Sequence, residues 1–235
     1  MYNESVCVAT CLDELIKAVG RLKKERNLQT EIIFSDDGST DGCGETVSRF
    51  AEDHPEIKTV KSEKNKGKGS AVRKAVAESR GDFVIYTDCD LAYGTEVFLT
   101  AVDRLLAGSE DIIVGSRNLT GDGYDGYGFL RRIASKAYIS FLSALGGLNL
   151  SDSQCGFKAF RGDVARKIFS LTSCDGFAFD YEMILIADKL GMKIGEMPVR
   201  ILTHKESKVH LVKDSISMLI EFIKIKNKVS KTDFK

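Results

Sequence analysis

Proline occurs only twice in 235 residues, and no stretch is rich in proline or serine. Nothing therefore marks an interdomain linker, and a single domain over 1–235 is expected. Net charge is also missing, because 34 basic side chains balance 34 acidic ones. Such a chain has no global pull toward nucleic acid. No nucleic-acid partner is expected, and any basic site must be local. No apolar run reaches the roughly 18 to 20 residues that cross a bilayer. The nearest, 137–150 (AYISFLSALGGLNL), is broken by Ser140, Ser143 and the Gly146-Gly147 pair, and suits a core or an interfacial helix. No secretory signal is read at the N-terminus. The six cysteines (Cys7, Cys11, Cys43, Cys89, Cys155, Cys174) contain no C-x-x-C pair, and His54, His204 and His210 lack ligand spacing. Reduced thiols in a cytoplasmic protein are expected, not a zinc framework.

What the chain does have is 43% apolar residues in a regular alternation. Leu12, Leu15, Ile16, Val19 and Leu22 recur at helical spacing and predict a helix over 4–26. Short strands are predicted at 31–35, 57–61, 83–87 and 111–115, with helices at 43–53, 67–79 and 95–107 between them. This is the pattern of an α/β fold, with a mostly parallel, Rossmann-like sheet and helices on both faces. In such sheets ligands bind at the carboxyl ends of the strands. Three polar clusters fall there: DDGSTDG at 36–42, TDCD at 87–90 and GSR at 115–117. The second half reads differently. A polar stretch at 121–128 precedes a helix over 129–145, a strand at 157–160, and helices at 163–169 and 179–190. One or two strands are expected in 193–203. A last helix, 212–226, would turn Val212, Ile216, Leu219, Ile220 and Ile223 to one side.

Asp88 and Asp90 stand one residue apart at the end of the Phe83-Val84-Ile85-Tyr86 run. Paired carboxylates repel, and desolvating either is costly. A hard divalent cation, Mg²⁺ or Mn²⁺, relieves both and is a natural partner for a diphosphate; a solvated acidic turn would also give D-x-D. NKGKG at 65–69 is not a Walker A motif. Its glycines allow close backbone approach, and the helix start favours anions. Lys68 would face a diphosphate or simply be solvated. Arg131 and Ser135, four apart, share a helix face, and arginine matches phosphate through its planar fork.

These segments resemble family 2 glycosyltransferases of the A-type (GT-A) fold, and within them the polyprenyl-phosphate branch, the dolichyl-phosphate mannose and glucose synthases and their bacterial undecaprenyl-phosphate relatives. The resemblance rests on YNE at 2–4, DDGSTDG, NKGKGSA at 65–71, TDCD, GSR, RRIAS at 131–135, SDSQCGFKAF at 151–160, GFAFDYE at 176–182 and ESKV at 206–209. It implies a nucleotide-sugar-binding half (1–117), an acceptor half (118–211) and a C-terminal amphipathic helix and tail (212–235). It implies an inverting transfer of a hexose from UDP-glucose or GDP-mannose to a polyprenyl phosphate, with QCGFK and GFAFD leaning toward glucose. Tyr2, Glu4, Asp36, Asp37, Lys68, Asp88, Cys89 and Lys208 would hold the donor, and Asp88 and Asp90 the metal. Arg117, Arg131, Ser135, Gln154, Asp180 and Glu182 would form the acceptor side, with Asp90, Arg117 and Arg131 nearest the reaction.

The resemblance also implies a central apolar strand ahead of YNE. This sequence opens on Met1-Tyr2-Asn3-Glu4, so that first strand is expected to be missing and its two neighbours left with unpaired ladder groups. Ala92 stands where some relatives have a further metal ligand, and Leu202 where many have an arginine. A lipid acceptor implies peripheral docking at the cytoplasmic face of a membrane. The helix over 129–145 and the C-terminal helix, with Lys224, Lys226, Lys228 and Lys231, are the expected surfaces. The same fold would serve a soluble transferase acting on a glycan hydroxyl, with Asp180 or Glu182 as base. It would also serve a nucleotide-sugar-binding protein without turnover.

Overall fold

A computed structural model describes residues 1–120, 122–123, 129–202 and 211–234, with the side chains of 129–131, 134–135 and 211–218 left aside. The first half alternates as expected: α1 (Ser5–Arg26), β1 (Ile32–Asp36), α2 (Cys43–Phe50), β2 (Ile57–Lys61), α3 (Lys68–Glu78), β3 (Phe83–Tyr86), α4 (Glu96–Leu106) and β4 (Ile112–Ser116). The second half adds α5 (Phe129–Gly146), β5 (Lys158–Arg161), α6 (Gly162–Leu171), α7 (Phe179–Lys189), β6 (Ile194–Pro198) and α8 (Leu211–Lys231). Asn27 ends α1 in the left-handed conformation, its N–H donating to Lys23 O, and Lys23, Lys24 and Arg26 in the last turn suit the negative helix end.

The sheet is mixed. β4 pairs in parallel with β6, while β5 lies antiparallel between β3 and β4. β3, β4 and β6 therefore point one way and β5 the other. Alternating side chains feed two cores. Ile112, Val114, Val84, Tyr86 and Phe160 face α3 and α5 to α8. Ile113, Ala159, Phe157 and Met197 face α1, α2 and α4. Both cores draw on residues before and after 117.

β1 and β2 form a separate parallel pair, so the sheet falls into two pieces. The expected gap lies between them. Ladder groups of Asp36 and Ile32 face β2, so those of Ile33 and Ser35 face the other way. On β3, Asp82 bonds across to Gly162, which turns Phe83 and Ile85 away from β5. Among the described residues, the outward groups of Ile33, Phe83 and Ile85 find no partner. Among the described residues, Met1 alone bonds to β1 across the gap. Its ammonium donates to Ser35 O at 2.6 Å, and Asp37 N–H donates to Met1 O at 2.9 Å. That is the bonding of a parallel strand residue beside Asp36.

Of the one or two strands expected in 193–203, the described residues form one, β6. In the 212–223 stripe expected on α8, the side chains of Val212 and Ile216 lie outside the described residues. α8 buries Phe222, Ile225 and Val229, whereas Ile220 and Ile223 of that stripe are exposed. The reason is the aromatic seat for Phe222, whose ring lies 4.8 Å from Tyr181 on α7 and 6.2 Å from Tyr138 on α5. Among the described residues, no helix is long and apolar enough to cross a membrane.

Candidate active site

The strand ends converge on one rim. Asn3 joins the YNE segment to DDGSTDG: its N–H donates to Ser39 Oγ at 3.0 Å, and its Oδ1 accepts from Thr40 N–H at 2.9 Å. Asp41 ties in the start of α1, accepting from Ser5 N–H at 2.8 Å and Cys43 N–H at 3.1 Å. Burial works against its charge, but these bonds pull its pKa down to about 2. Tyr2 remains exposed at the edge.

Asp36 and Asp37, expected against the base or ribose, are both buried. Asp37 accepts from Lys66 N–H at 3.1 Å and Gly67 N–H at 2.7 Å, which fixes the NKGKG loop. Asp36 Oδ1 accepts from Ser39 N–H at 2.9 Å, and a Cβ at Gly44 would crowd its Oδ2 at 2.6 Å. The glycines of NKGKG serve packing. A Cβ at Gly67 or Gly69 would overlap the Asp175 or Cys174 carbonyl. Gly69 N–H donates to Asp175 O at 2.8 Å, so that N–H is engaged rather than offered to an anion.

Asp88 and Asp90 stand together at the end of β3. Neither of the readings of Lys68 describes its main contact, which is an ion pair with Asp88 at 2.7 Å. Burial works against the Lys68 charge, but Asp88 and Asp180 raise its pKa well above the usual lysine range. Asp90 makes no ion pair among the described residues; its Oδ1 accepts from Ala92 N–H at 3.1 Å. Burial first, and then the Asp88 charge, push its pKa up. Two hard carboxylates, one of them half-buried without a cation, fit a divalent ion such as Mg²⁺ or Mn²⁺.

Gly156 from CGFK closes the back of this pair. A Cβ there would overlap Asp88 Oδ2, and its own N–H donates to Tyr93 OH at 3.3 Å. Gly156→Ala should therefore displace the Asp88 carboxylate. Apparent Mn²⁺ affinity should fall by about 10–100-fold, as for other residues that orient a ligand. A Mn²⁺ titration of activity checks this, and an unchanged midpoint would remove Gly156 from the site.

Across the rim, Arg117 is buried and clamps Asp152 with both planar nitrogens, at 2.6 and 2.9 Å. Burial opposes its charge, but Asp152 holds its pKa well above the ordinary range. Glu196 on β6 anchors the same loop, accepting from Ser151 and Asp152 N–H at 2.9 and 3.1 Å. Gln154 Nε2 is buried there and finds no hydrogen-bond partner among the described residues. Arg131 and Ser135 lie on α5, but their side chains are outside the described residues, as is Lys208.

Asp180 and Glu182, expected to orient sugar or acceptor, have other partners. Asp180 neutralises Lys158, a fully buried lysine on β5, at 2.6 Å, and accepts from Tyr86 OH. Burial and then the Asp180 charge raise the Tyr86 pKa well above its usual value. Glu182 accepts from Ser173 and Cys174 N–H at 2.8 and 2.7 Å and meets Lys228 of α8 at 3.2 Å. Lys158, Asp152 and Glu196 escaped sequence reasoning. The available signal was Asp180 itself, because a carboxylate opening the apolar run of FDYEMILIA needs a buried partner.

Known proteins align with this geometry. Over 233 residues the chain is 32% identical to a dolichyl-phosphate beta-glucosyltransferase of Dictyostelium discoideum, covering 96% of this chain and 71% of that one. It is 26% identical to the Saccharomyces cerevisiae protein of the same name, over 96% and 72%. Among solved structures, glucosyl-3-phosphoglycerate synthase from Mycobacterium tuberculosis, in complex with Mn²⁺, uridine-diphosphate-glucose and phosphoglyceric acid, superposes with a TM-score of 0.69 at 18% identity. That match covers 97% of this chain and 77% of the other, and shares the GT-A-like α/β fold. The family model for glycosyl transferase family 2 matches residues 1–169, taking in the DDGSTDG, TDCD and CGFK segments, and the chain belongs to that family.

Proposed function

We propose that this chain transfers glucose from UDP-glucose to a polyprenyl phosphate, with inversion, and needs a divalent cation at Asp88 and Asp90. The observation that carries the reading is the half-buried Asp90 carboxylate, raised by burial and by Asp88 and lacking a cation, on the rim where YNE, DDGSTDG and TDCD meet. The relatives' names supply the sugar, the β linkage and the lipid acceptor. Nothing in them supports GDP-mannose, which leaves UDP-glucose as the donor. An α-linked donor giving a β-linked product requires inversion at the anomeric carbon.

The acceptor phosphate oxygen attacks that carbon, and the bond to UDP breaks with its electron pair leaving on the diphosphate. The cation, when bound, offsets charge on the departing diphosphate. A phosphate with a second pKa of about 6 is largely ionised at neutral pH, so no proton has to be removed first. This matches the engagement of Asp180 and Glu182 elsewhere, where a hydroxyl acceptor would need one of them as base. Tyr2, Glu4, Cys89, Lys68 and Lys208 line the donor side in this reading. Arg117, Arg131, Ser135 and Gln154 form the acceptor side, with the unpartnered Gln154 amide available to a phosphate oxygen.

The test is transfer to a short polyprenyl phosphate with UDP-glucose and Mn²⁺, run beside GDP-mannose and a glycan acceptor. Transfer should depend on UDP-glucose, stop in EDTA, and decline on the acid side near pH ~6 as the acceptor takes up its second proton. Transfer to the glycan instead, or donor binding without turnover, would overturn the reading.

The lipid tail requires contact with a bilayer. α5 exposes Ile133 and Phe141, each 50% accessible, with Ala137 and Ala144 between and beyond them at helical spacing. α8 exposes Ile220, Ile223 and Lys224. These are the features of a helix lying in the headgroup layer. The double variant Ile133→Asp, Phe141→Asp should lose co-sedimentation with anionic vesicles but keep activity on a short, water-soluble acceptor. Equal vesicle binding would exclude this face.

A further inference from the structure

Cys89 sits between Asp88 and Asp90, and its thiol does not point to the same partners. It meets Glu4, ahead of α1, and Cys7, in the first turns of α1. The ligand atoms of Glu4, Cys7 and Cys89 all lie within 4.8 Å of one another. Cys7 Sγ already donates to Glu4 Oε2 at 2.9 Å. Cys7 is buried, and Glu4 and Cys89 are half-buried, so the group is shielded but reachable. The backbone on both sides is held in an unusual conformation. Asn3, just before Glu4, has φ 52°, and Leu91, just after Asp90, has φ 47°. A leucine there is strained, which fixes the direction in which the loop presents its side chains.

We propose that Glu4, Cys7 and Cys89 form a second metal site, selective for a thiophilic divalent cation such as Zn²⁺, whose occupation arrests the enzyme. Two sulfurs and one carboxylate oxygen are three ligands of a tetrahedral zinc site, and solvent supplies the fourth. With Zn–S bonds of about 2.3 Å, the ligands of a tetrahedron stand roughly 3.8 Å apart, so Cys7 Sγ and Glu4 Oε2, now hydrogen-bonded at 2.9 Å, part to admit the metal, with Cys89 Sγ within 4.8 Å of both. Each thiol releases its proton to solvent as its sulfur bonds the metal. One short loop thus presents hard oxygens to one cation and a soft sulfur to another. Mn²⁺ and Mg²⁺ bind thiolates poorly and stand below Zn²⁺ in affinity, so they neither fill this site nor clear it. The metal ties Cys89 to the start of α1, and with it the loop that carries Asp88 and Asp90 to the donor. It also withdraws Glu4 from the rim. Zinc inhibition should therefore persist at saturating Mn²⁺.

The binding arm of the test stands apart from the proposed function, and only the inhibition arm rests on it. Reduced, metal-free protein is titrated with Co²⁺, and the thiolate-to-cobalt charge-transfer absorbance is followed. One equivalent should bind, and Zn²⁺ should displace it. Cys7→Ser and Cys89→Ser should each abolish the band, while Cys11→Ser keeps it; far-ultraviolet circular dichroism establishes that all three are folded. A band that survives in Cys7→Ser, or none in the wild type, overturns the site. In the transfer assay at saturating Mn²⁺, Cys7→Ser should keep the wild-type rate and need at least ~10-fold more Zn²⁺ for half-inhibition. Equal sensitivity would overturn the arrest. Absence of transfer in the wild type would count against the proposed function, while the cobalt band would still decide the site.

Discussion

Asp90→Ala should reduce glucose transfer by at least ~100-fold, on the scale of losing one strong electrostatic stabiliser of the transition state. The effect should fall on metal-dependent turnover and not on folding. In the metal-free protein Asp90 is a liability to the fold: burial and the neighbouring Asp88 both disfavour its ionised form. Its folded pKa is raised, so the wild type loses stability as pH climbs from the ordinary carboxylate value of 3.8 through that raised value. Alanine removes the group and with it that loss. The variant should unfold no earlier than the wild type at neutral pH while being nearly inactive. Asp88 keeps Lys68 as a partner at 2.7 Å, so the rim need not collapse. Calorimetry and a Mn²⁺-dependent assay on the same preparation separate the two effects. Wild-type activity in EDTA would remove the metal from the account, whatever the variant does.

Asp180→Asn should do the reverse. Asparagine fills the same space but leaves Lys158 as a buried, uncompensated charge, and Lys158 is 0% accessible. Breaking a buried pair in this way costs about 3–5 kcal/mol. At roughly 2–4 °C per kcal/mol for a chain of this size, the melting temperature should fall by about 10 °C. The Tyr86 hydroxyl also loses its charged acceptor. Folded Asp180→Asn should still transfer to a polyprenyl phosphate, because that acceptor needs no base. Adding Lys158→Met to Asp180→Asn removes the stranded charge and should recover most of the loss, as apolar replacements of buried pairs often do. Unchanged stability in the single variant would mean that Lys158 gives up its proton or reaches water. A dead but fully folded variant would favour proton transfer to Asp180.

The strand-and-helix order was legible because each element carries its own pattern, as in the 12–22 stripe of α1 or the short apolar run at Ile112. Strand order was not. Nothing local in KAFR says that β5 runs antiparallel between β3 and β4; that follows from side chains it meets only after folding, such as Ile113 opposite Ala159. The site was legible to the level of segments. DDGSTDG, TDCD and CGFK do converge with YNE, but the division of labour among their carboxylates was hidden. Asp37 and Asp90 look alike in sequence. One is bonded by backbone N–H groups of a neighbouring loop, and the other is left without a cation. Lys158 was hidden for a related reason: a lysine is taken as solvated until a buried carboxylate is found beside it. The buried side of α8 was not legible, because Phe222 and Val229 follow the α7 surface, which the helix sequence does not contain.

The divided sheet bears on how this molecule behaves in company. Among the described residues, Ile33 on β1 and Phe83 and Ile85 on β3 carry backbone donors and acceptors along two edges that no strand takes up. Sheet edges of this kind are templates on which extended polypeptide adds by main-chain bonding, with little demand on its sequence. Two copies meeting there could continue each other's ladder. An extended segment lying along the line between β1 and β3 would take up these groups and shield them.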